Sequence, residues 1–261
     1  MFIIIIIVIL IIISILFGFH IYKHYKYNNN NEILQLNNFN KDLYEDYIGL
    51  KQPMIIMNTL TEIDLFEKLH IDALKKKNIS FLYSNNINNN NTKKINITDN
   101  KDMFIFEDRI QAPTILTKEY YHFTKPLLSN ISIWNTDYLT LFKKDMISPI
   151  VKSKYSRNLY MLFDGELLFT IYPPKYNEYM YTARETGHYT ISHIHPKKIL
   201  EDSEKEKYPL FSKSFSIDII MRPGQILSIP PHWWYHYECK DDCILVCNKS
   251  DTIFTRMVNM I

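Results

Sequence analysis

MRPGQILSIPPHWWYHY, running from Met221 to Tyr237, is the stretch that decides the fold. Phe215 to Met221 is an apolar run that stops at Arg222-Pro223-Gly224, a turn signal. Gln225 to Ile229 is a second short run, closed by Pro230-Pro231, which cannot continue a ladder of backbone donors. His232 to Glu238 is rich in aromatic residues and reads as a third strand, and Ile244 to Asn248 as a fourth. Short strands at close spacing, punctuated by proline and glycine, predict a β-sandwich or barrel.

Upstream, Asn158 to Phe163 and Leu167 to Tyr172 flank Asp164-Gly165, and that pattern predicts a hairpin ended by Pro173-Pro174. Further towards the N-terminus the pattern mixes helix and strand. Asp42 to Leu50 is read as a short helix, Pro53 to Met57 as a buried strand and Thr61 to Leu69 as a helix. Ile79 to Tyr83 is read as a strand, and the Asn-rich segment from Asn85 to Asn100 as an exposed loop. No internal repeat is visible.

Met1 to Phe19 carries no charge and a single hydroxyl, at Ser14. At 1.5 Å per residue, about 19 residues cover most of a ~30 Å hydrocarbon layer, and a helix satisfies its own backbone there. A cleaved signal peptide would need a basic start, a shorter apolar stretch and a small-residue cleavage site, all missing from this run. The expectation is a retained span, with Tyr22, Lys23, Tyr25 and Lys26 at headgroup level. Lysines follow the span and nothing basic precedes it, so the C-terminal bulk is expected in the cytoplasm. Three cysteines, Cys239, Cys243 and Cys247, are too few for a disulfide framework and fit a reducing compartment.

Composition excludes several classes. The net charge of +2 over 261 residues argues against nucleic-acid binding through bulk charge, so no nucleic-acid partner is expected. Five glycines, with neither GxGxxG nor GxxxxGK[ST], leave no phosphate-cradling loop. Hydrophobic residues at 46% permit a packed core.

The segment from Met221 to Tyr237 resembles the closing half of the cupin-like and JmjC-type domains of the Fe(II)/2-oxoglutarate dioxygenase superfamily, whose pattern is P-G-D-x-L-x-I-P-x-x-W-W-H. Asn158 through Gly165 to Tyr172-Pro173-Pro174 resembles the N-L…G-x-K…L-F/Y-P-P segment of that family. Tyr208-Pro209-Leu210-Phe211 and Gln52 to Ile56 are similar to two more of its elements. The resemblance implies a mainly β double-stranded β-helix (a jelly roll). The expected organisation is a transmembrane anchor over 1–22, a linker over 23–40, an α/β part over 41–148, the β-helix core over 149–250 and a tail over 251–261. Similar cupin-like proteins of AT-rich large DNA viruses make a viral membrane protein a further reading.

Active relatives hold Fe(II) with two histidines and one carboxylate. By register, the H-x-D pair falls on Val151 and Ser153, and the histidine that follows the two tryptophans falls on Tyr235. The lysine that binds 2-oxoglutarate falls on Leu167. Trp233 and Trp234 are expected to pack under the site, and Asn158 and Asn248 to lie near the pocket. Four changed positions imply a domain with no expected cofactor, binding an unidentified protein partner or acting as a scaffold at a membrane. The alternative is a hydroxylase or demethylase using Fe(II) and 2-oxoglutarate through displaced ligands. Fallback donors are His236, expected to face away from the pocket, and His193 with His195, expected on one strand face. His232 is read as a rim residue, Asp241-Asp242 as a hairpin turn, and Glu201 to Lys207 as a solvated face.

Overall fold

The computed structural model describes residues 2–57, 59, 66, 69–70, 80–84, 92–96, 118–128, 132–200 and 202–259. In chain order the elements are α1 (Phe2–Tyr25), β1 (Leu34–Leu36), α2 (Lys41–Gly49), β2 (Met54–Ile56), β3 (Ser80–Ser84), β4 (Thr92–Asn96), α3 (Lys118–Thr124), β5 (Ser132–Phe142), β6 (Val151–Ser153), β7 (Arg157–Asp164), β8 (Leu167–Tyr172), β9 (Thr182–Glu185), β10 (Tyr189–Ser192), α4 (Asp202–Lys207), β11 (Ile217–Met221), β12 (Ile226–Ile229), β13 (Trp234–Cys239), β14 (Cys243–Thr252) and α5 (Ile253–Val258).

Two six-stranded sheets carry the fold, in the orders β1-β2-β12-β7-β14-β5 and β11-β8-β13-β6-β10-β9. Every pairing within them is antiparallel except β1 with β2. From β5 to β8 and again from β11 to β14, successive strands alternate between the sheets, so the chain winds as a flattened barrel, as the sequence patterning implies. The interior holds Tyr138, Val151, Tyr160, Phe169, Trp233, Tyr235 and Tyr237 among other apolar side chains. A second apolar layer, including Tyr44, Tyr120, Leu159 and Met161, covers the outer face of the first sheet with help from α2 and α3. A third, with Ile150, Tyr172, Tyr208 and Trp234, covers the outer face of the second.

Local signals explain many boundaries. Asn40 caps α2, its side chain accepting from Leu43 N. Pro223 and Gly224 occupy the centre of the turn between β11 and β12, with Gly224 at φ 93° and Gln225 N bonded to Arg222 O at 3.2 Å. The proline pair ends β12 after Ile229.

Several expectations need correction. Asp164-Gly165 does not make a hairpin: β7 and β8 belong to different sheets, and the turn carries the chain from one to the other. Gly165 is required there, because φ is 81° and a Cβ would run into the Asp242 carbonyl and Cys243. Asp241-Asp242 likewise links β13 and β14 across the two sheets. β5 pairs with β14 along its length, so the barrel starts upstream of 149. The linker over 23–40 contains the end of α1 and strand β1, and the tail over 251–261 contains the end of β14 and α5. Thr92–Asn96 is a strand paired with β3 and not a loop. The charged run after Glu201 forms α4, and its residues from Ser203 to Lys207 are largely exposed, as expected of a solvated face. Apart from Phe66 and Leu69, the segment read as a helix from Thr61 to Leu69 lies outside the described residues.

Candidate functional site: the mouth of the barrel

β6 and β13 run antiparallel with Val151 opposite Tyr235 and Lys152 opposite Trp234. Strand parity then sends Val151, Ser153 and Tyr235 inwards, all at 1% exposure or less. The three positions assigned by register therefore lie together at one end of the barrel. Val151 carries no donor atom. Ser153 Oγ donates to Asn158 Oδ1 at 2.5 Å, and Asn158 Nδ2 donates to the Ile229 carbonyl at 3.1 Å. The Tyr160 hydroxyl donates to that of Tyr235 at 2.5 Å, with the rings 5.5 Å apart and near edge-on. Leu167 is buried in the same interior.

The remaining predicted residues separate. Trp233 points inwards, its Nε1 donating to Lys51 O at 3.1 Å. Trp234 points outwards, its Nε1 donating to Asn177 Oδ1 at 3.2 Å beneath the Lys152 ammonium. Neighbours on a strand cannot share a face, so the two tryptophans do not pack under one site. Asn248 faces away from the interior and donates to Asp137 Oδ1 at 2.7 Å. His236 stacks on Tyr172 on the outer face, 6.1 Å between centroids, and burial lowers its pKa to about 4. His193 and His195 are exposed and follow the end of β10, so they do not share a strand face. His232 is not at an open rim. It is buried with φ at 71°, its N–H bonded to Ser153 O at 2.9 Å, and burial, with His24 and Lys152 nearby, pushes its pKa down to about 3.

One residue at this mouth escaped the sequence reading. Lys249 is 1% exposed, and its Cα is paired with that of Asn158. Its ammonium donates to the Tyr189 hydroxyl and lies 4.4 Å from that ring centre. The rings of Tyr138, Tyr155 and Tyr160 stand 5.7, 5.9 and 5.9 Å away. The faces of aromatic rings attract a desolvated cation, so the tyrosines form a box around the ammonium. The signal was parity: Cys243, Leu245 and Cys247 point inwards, and Lys249 is the next position on that face. One step further along that parity is Asp251, whose Oδ1 accepts from Ser156 N at 3.0 Å and Ser156 Oγ at 3.1 Å. Burial raises the Asp251 pKa to about 6, against those Ser156 bonds. His188 Nδ1 stands 3.4 Å from Asp251 Oδ2, and its ring stacks on Tyr155 at 4.5 Å.

Two antiparallel sheets closed into a barrel by alternating crossovers agree with the match of residues 116–249, a little over half of the chain, to the family described as Cupin-like domain. The chain belongs to the cupin-like domain family. It is also similar to HSPB1-associated protein 1 of Rattus norvegicus and of Homo sapiens, 26% identical over 102 residues in both. The zebrafish (Danio rerio) HSPB1-associated protein 1 homolog is 25% identical over the same length. Those matches cover 39% of this chain and 20–22% of the relatives, so the chain spans about a fifth of the proteins it resembles. The mouth of this cupin-like barrel is filled with tyrosines around a buried lysine.

Proposed function

We propose that the chain is a membrane-tethered cupin-like, JmjC-type domain that has lost the family's metal site and acts as a binding or scaffold module. The observation that carries this reading is the content of the barrel mouth. The donor set does not fit a divalent metal: Val151 offers nothing, and the Ser153 and Tyr235 hydroxyls are engaged with Asn158 and Tyr160. Neutral hydroxyls are weak substitutes for two imidazoles and a carboxylate. Lys249 adds a fixed positive charge close by, which opposes a dication. Leu167 offers no cation for the distal carboxylate of 2-oxoglutarate, a contact typically worth about 1.5–3 kcal/mol. The runner-up reading, a hydroxylase with displaced ligands, needs replacement donors, and His236, His193 and His195 are turned away from the interior.

Membrane tethering rests on α1, which is 24 residues long with a mean hydropathy of 3.6 over its most apolar window. Lys23 lies in its last turn and Lys26 just beyond it, which supports a cytoplasmic domain. Three free, buried cysteines fit that side of the membrane.

Elemental analysis of the full chain purified in detergent tests the metal reading. The expected result is far less than one iron per chain after incubation with Fe(II) and 2-oxoglutarate. About one iron per chain, lost on His188→Ala or Asp251→Asn, would refute it and place the ligands at the mouth's remaining imidazole and carboxylate.

A further inference from the structure

The domain touches α1 at a depth that matters. Counting 1.5 Å per residue from Phe2, a ~30 Å hydrocarbon layer is crossed by about Tyr22. Phe17 then lies roughly 7 Å inside the boundary, by the same rise per residue. Yet the Phe254 ring, on α5, packs 6.4 Å from that of Phe17 and 4.9 Å from that of His20. The domain must therefore reach down to the acyl boundary through α5.

The surface around Phe254 suits that depth. Ile253 and Met257 are one turn apart on α5 and are 43% and 48% exposed. Beside them, at the start of β5, Trp134 is 38% exposed. The Arg256 guanidinium lies 4.7 Å above the Trp134 ring. Single exposed apolar residues are ordinary, but a contiguous group is not. Here the group adjoins an uncovered apolar helix and carries a tryptophan and an arginine, the pair favoured at the headgroup level.

We infer that Trp134, Ile253 and Met257 form a second membrane contact, seated in the headgroup–acyl boundary of the leaflet from which α1 emerges. The inference rests on reading α1 as a span. It has a consequence for orientation: Asp251 and Ser156, at the barrel mouth, directly precede or bond to the residues that lead into α5, so the mouth faces the bilayer. Residues 28–31 are then not a free swivel, because the domain is held at two places.

Tryptophan fluorescence reads this contact, since Trp233 and Trp234 are fully buried and Trp134 is the exposed one among the three. The full chain is reconstituted into phosphatidylcholine vesicles, either plain or brominated near the headgroup end of the acyl chains. Bromolipid is expected to lower the Trp134-dependent emission about twofold, an effect absent in Trp134→Phe and reduced in Ile253→Glu/Met257→Glu. Alkaline carbonate extraction, run in parallel, reports on α1 alone. A chain that resists extraction but shows no bromolipid quenching overturns the inference and leaves the anchor reading standing. If Trp134 is then also shielded from aqueous iodide and the chain cross-links to itself, a second copy covers the patch, which equally overturns it. A chain released by carbonate refutes the anchor reading, and the inference falls with it.

Discussion

Rebuilding the facial triad is the most demanding test of the barrel mouth. The variant Val151→His/Ser153→Asp/Tyr235→His sets two imidazoles on cross-strand partners and a carboxylate two residues along the same inward face. Without metal it should be costly. Losing the Tyr235 ring from the Tyr160–Phe169 cluster costs about 2–4 kcal/mol, and an unpaired carboxylate at the fully buried Ser153 position costs several more. At roughly 2–4 °C per kcal/mol, the apo variant should melt ten or more degrees below the parent. Metal offsets part of this: a free concentration of about 100 Kd adds ~2.7 kcal/mol. Lys249 works against it. Its Cα partner, Asn158, holds Ser153, so the ammonium lies near the rebuilt site. If the two stood about 8 Å apart, at an effective dielectric near 20, a dication and an ammonium would repel by roughly 4 kcal/mol. That is about a thousandfold in affinity. The triple variant should therefore bind Co(II) weakly, and adding Lys249→Met should tighten binding by about three decades. Visible absorption of Co(II) and the metal-dependent rise in Tm measure both. A folded quadruple variant with no more Co(II) absorption than the parent would show that the three positions do not converge. Equal affinity in the triple and quadruple variants would remove Lys249 from the argument.

Two further predictions follow from buried groups. Lys249→Ala empties the tyrosine box and should lower stability by about 2–4 kcal/mol, with millimolar ethylammonium raising the Tm of that variant and leaving the parent unchanged; equal shifts in both would refute a cation-specific box. Acidification should destabilise the domain. His232 and His236, with folded pKa values near 3 and 4, stay neutral in the fold, so the stability they contribute is present above the unfolded value of about 6.5 and is lost as pH falls towards 4. Asp251, raised to about 6, and Asp137, also raised by burial, act in the opposite sense, the Asp251 contribution being lost as pH rises through 6, while His188, lowered by burial, adds to the histidine side. His236→Phe should flatten the fall by up to ~1.4 kcal/mol per pH unit between pH 6 and 4, measured by thermal melts in detergent; an unchanged slope would count against a neutral buried imidazole.

Local chemistry made much of the fold legible. The apolar run of α1, the Pro223-Gly224 turn, the proline stop after Ile229 and the strand-like texture of residues 215–248 are set by steric limits and transfer free energies within a few residues. The family resemblance also picked out Val151, Ser153 and Tyr235, and it is the pairing of β6 with β13 that sets them side by side. What only the tertiary structure decided was which strand pairs with which. Asp164-Gly165 has the local chemistry of a hairpin and yet joins two sheets, since β7 finds β12 and β14 while β8 finds β11 and β13. The same long-range pairing sends Trp233 and Trp234 to opposite faces and turns Asn248 away. It also draws Lys249 into the barrel, among tyrosines supplied by β5, β7, β10 and the turn before β7. An inward lysine is unfavourable on its own strand. It becomes tolerable only when rings distant in sequence surround it, and no local periodicity encodes that convergence.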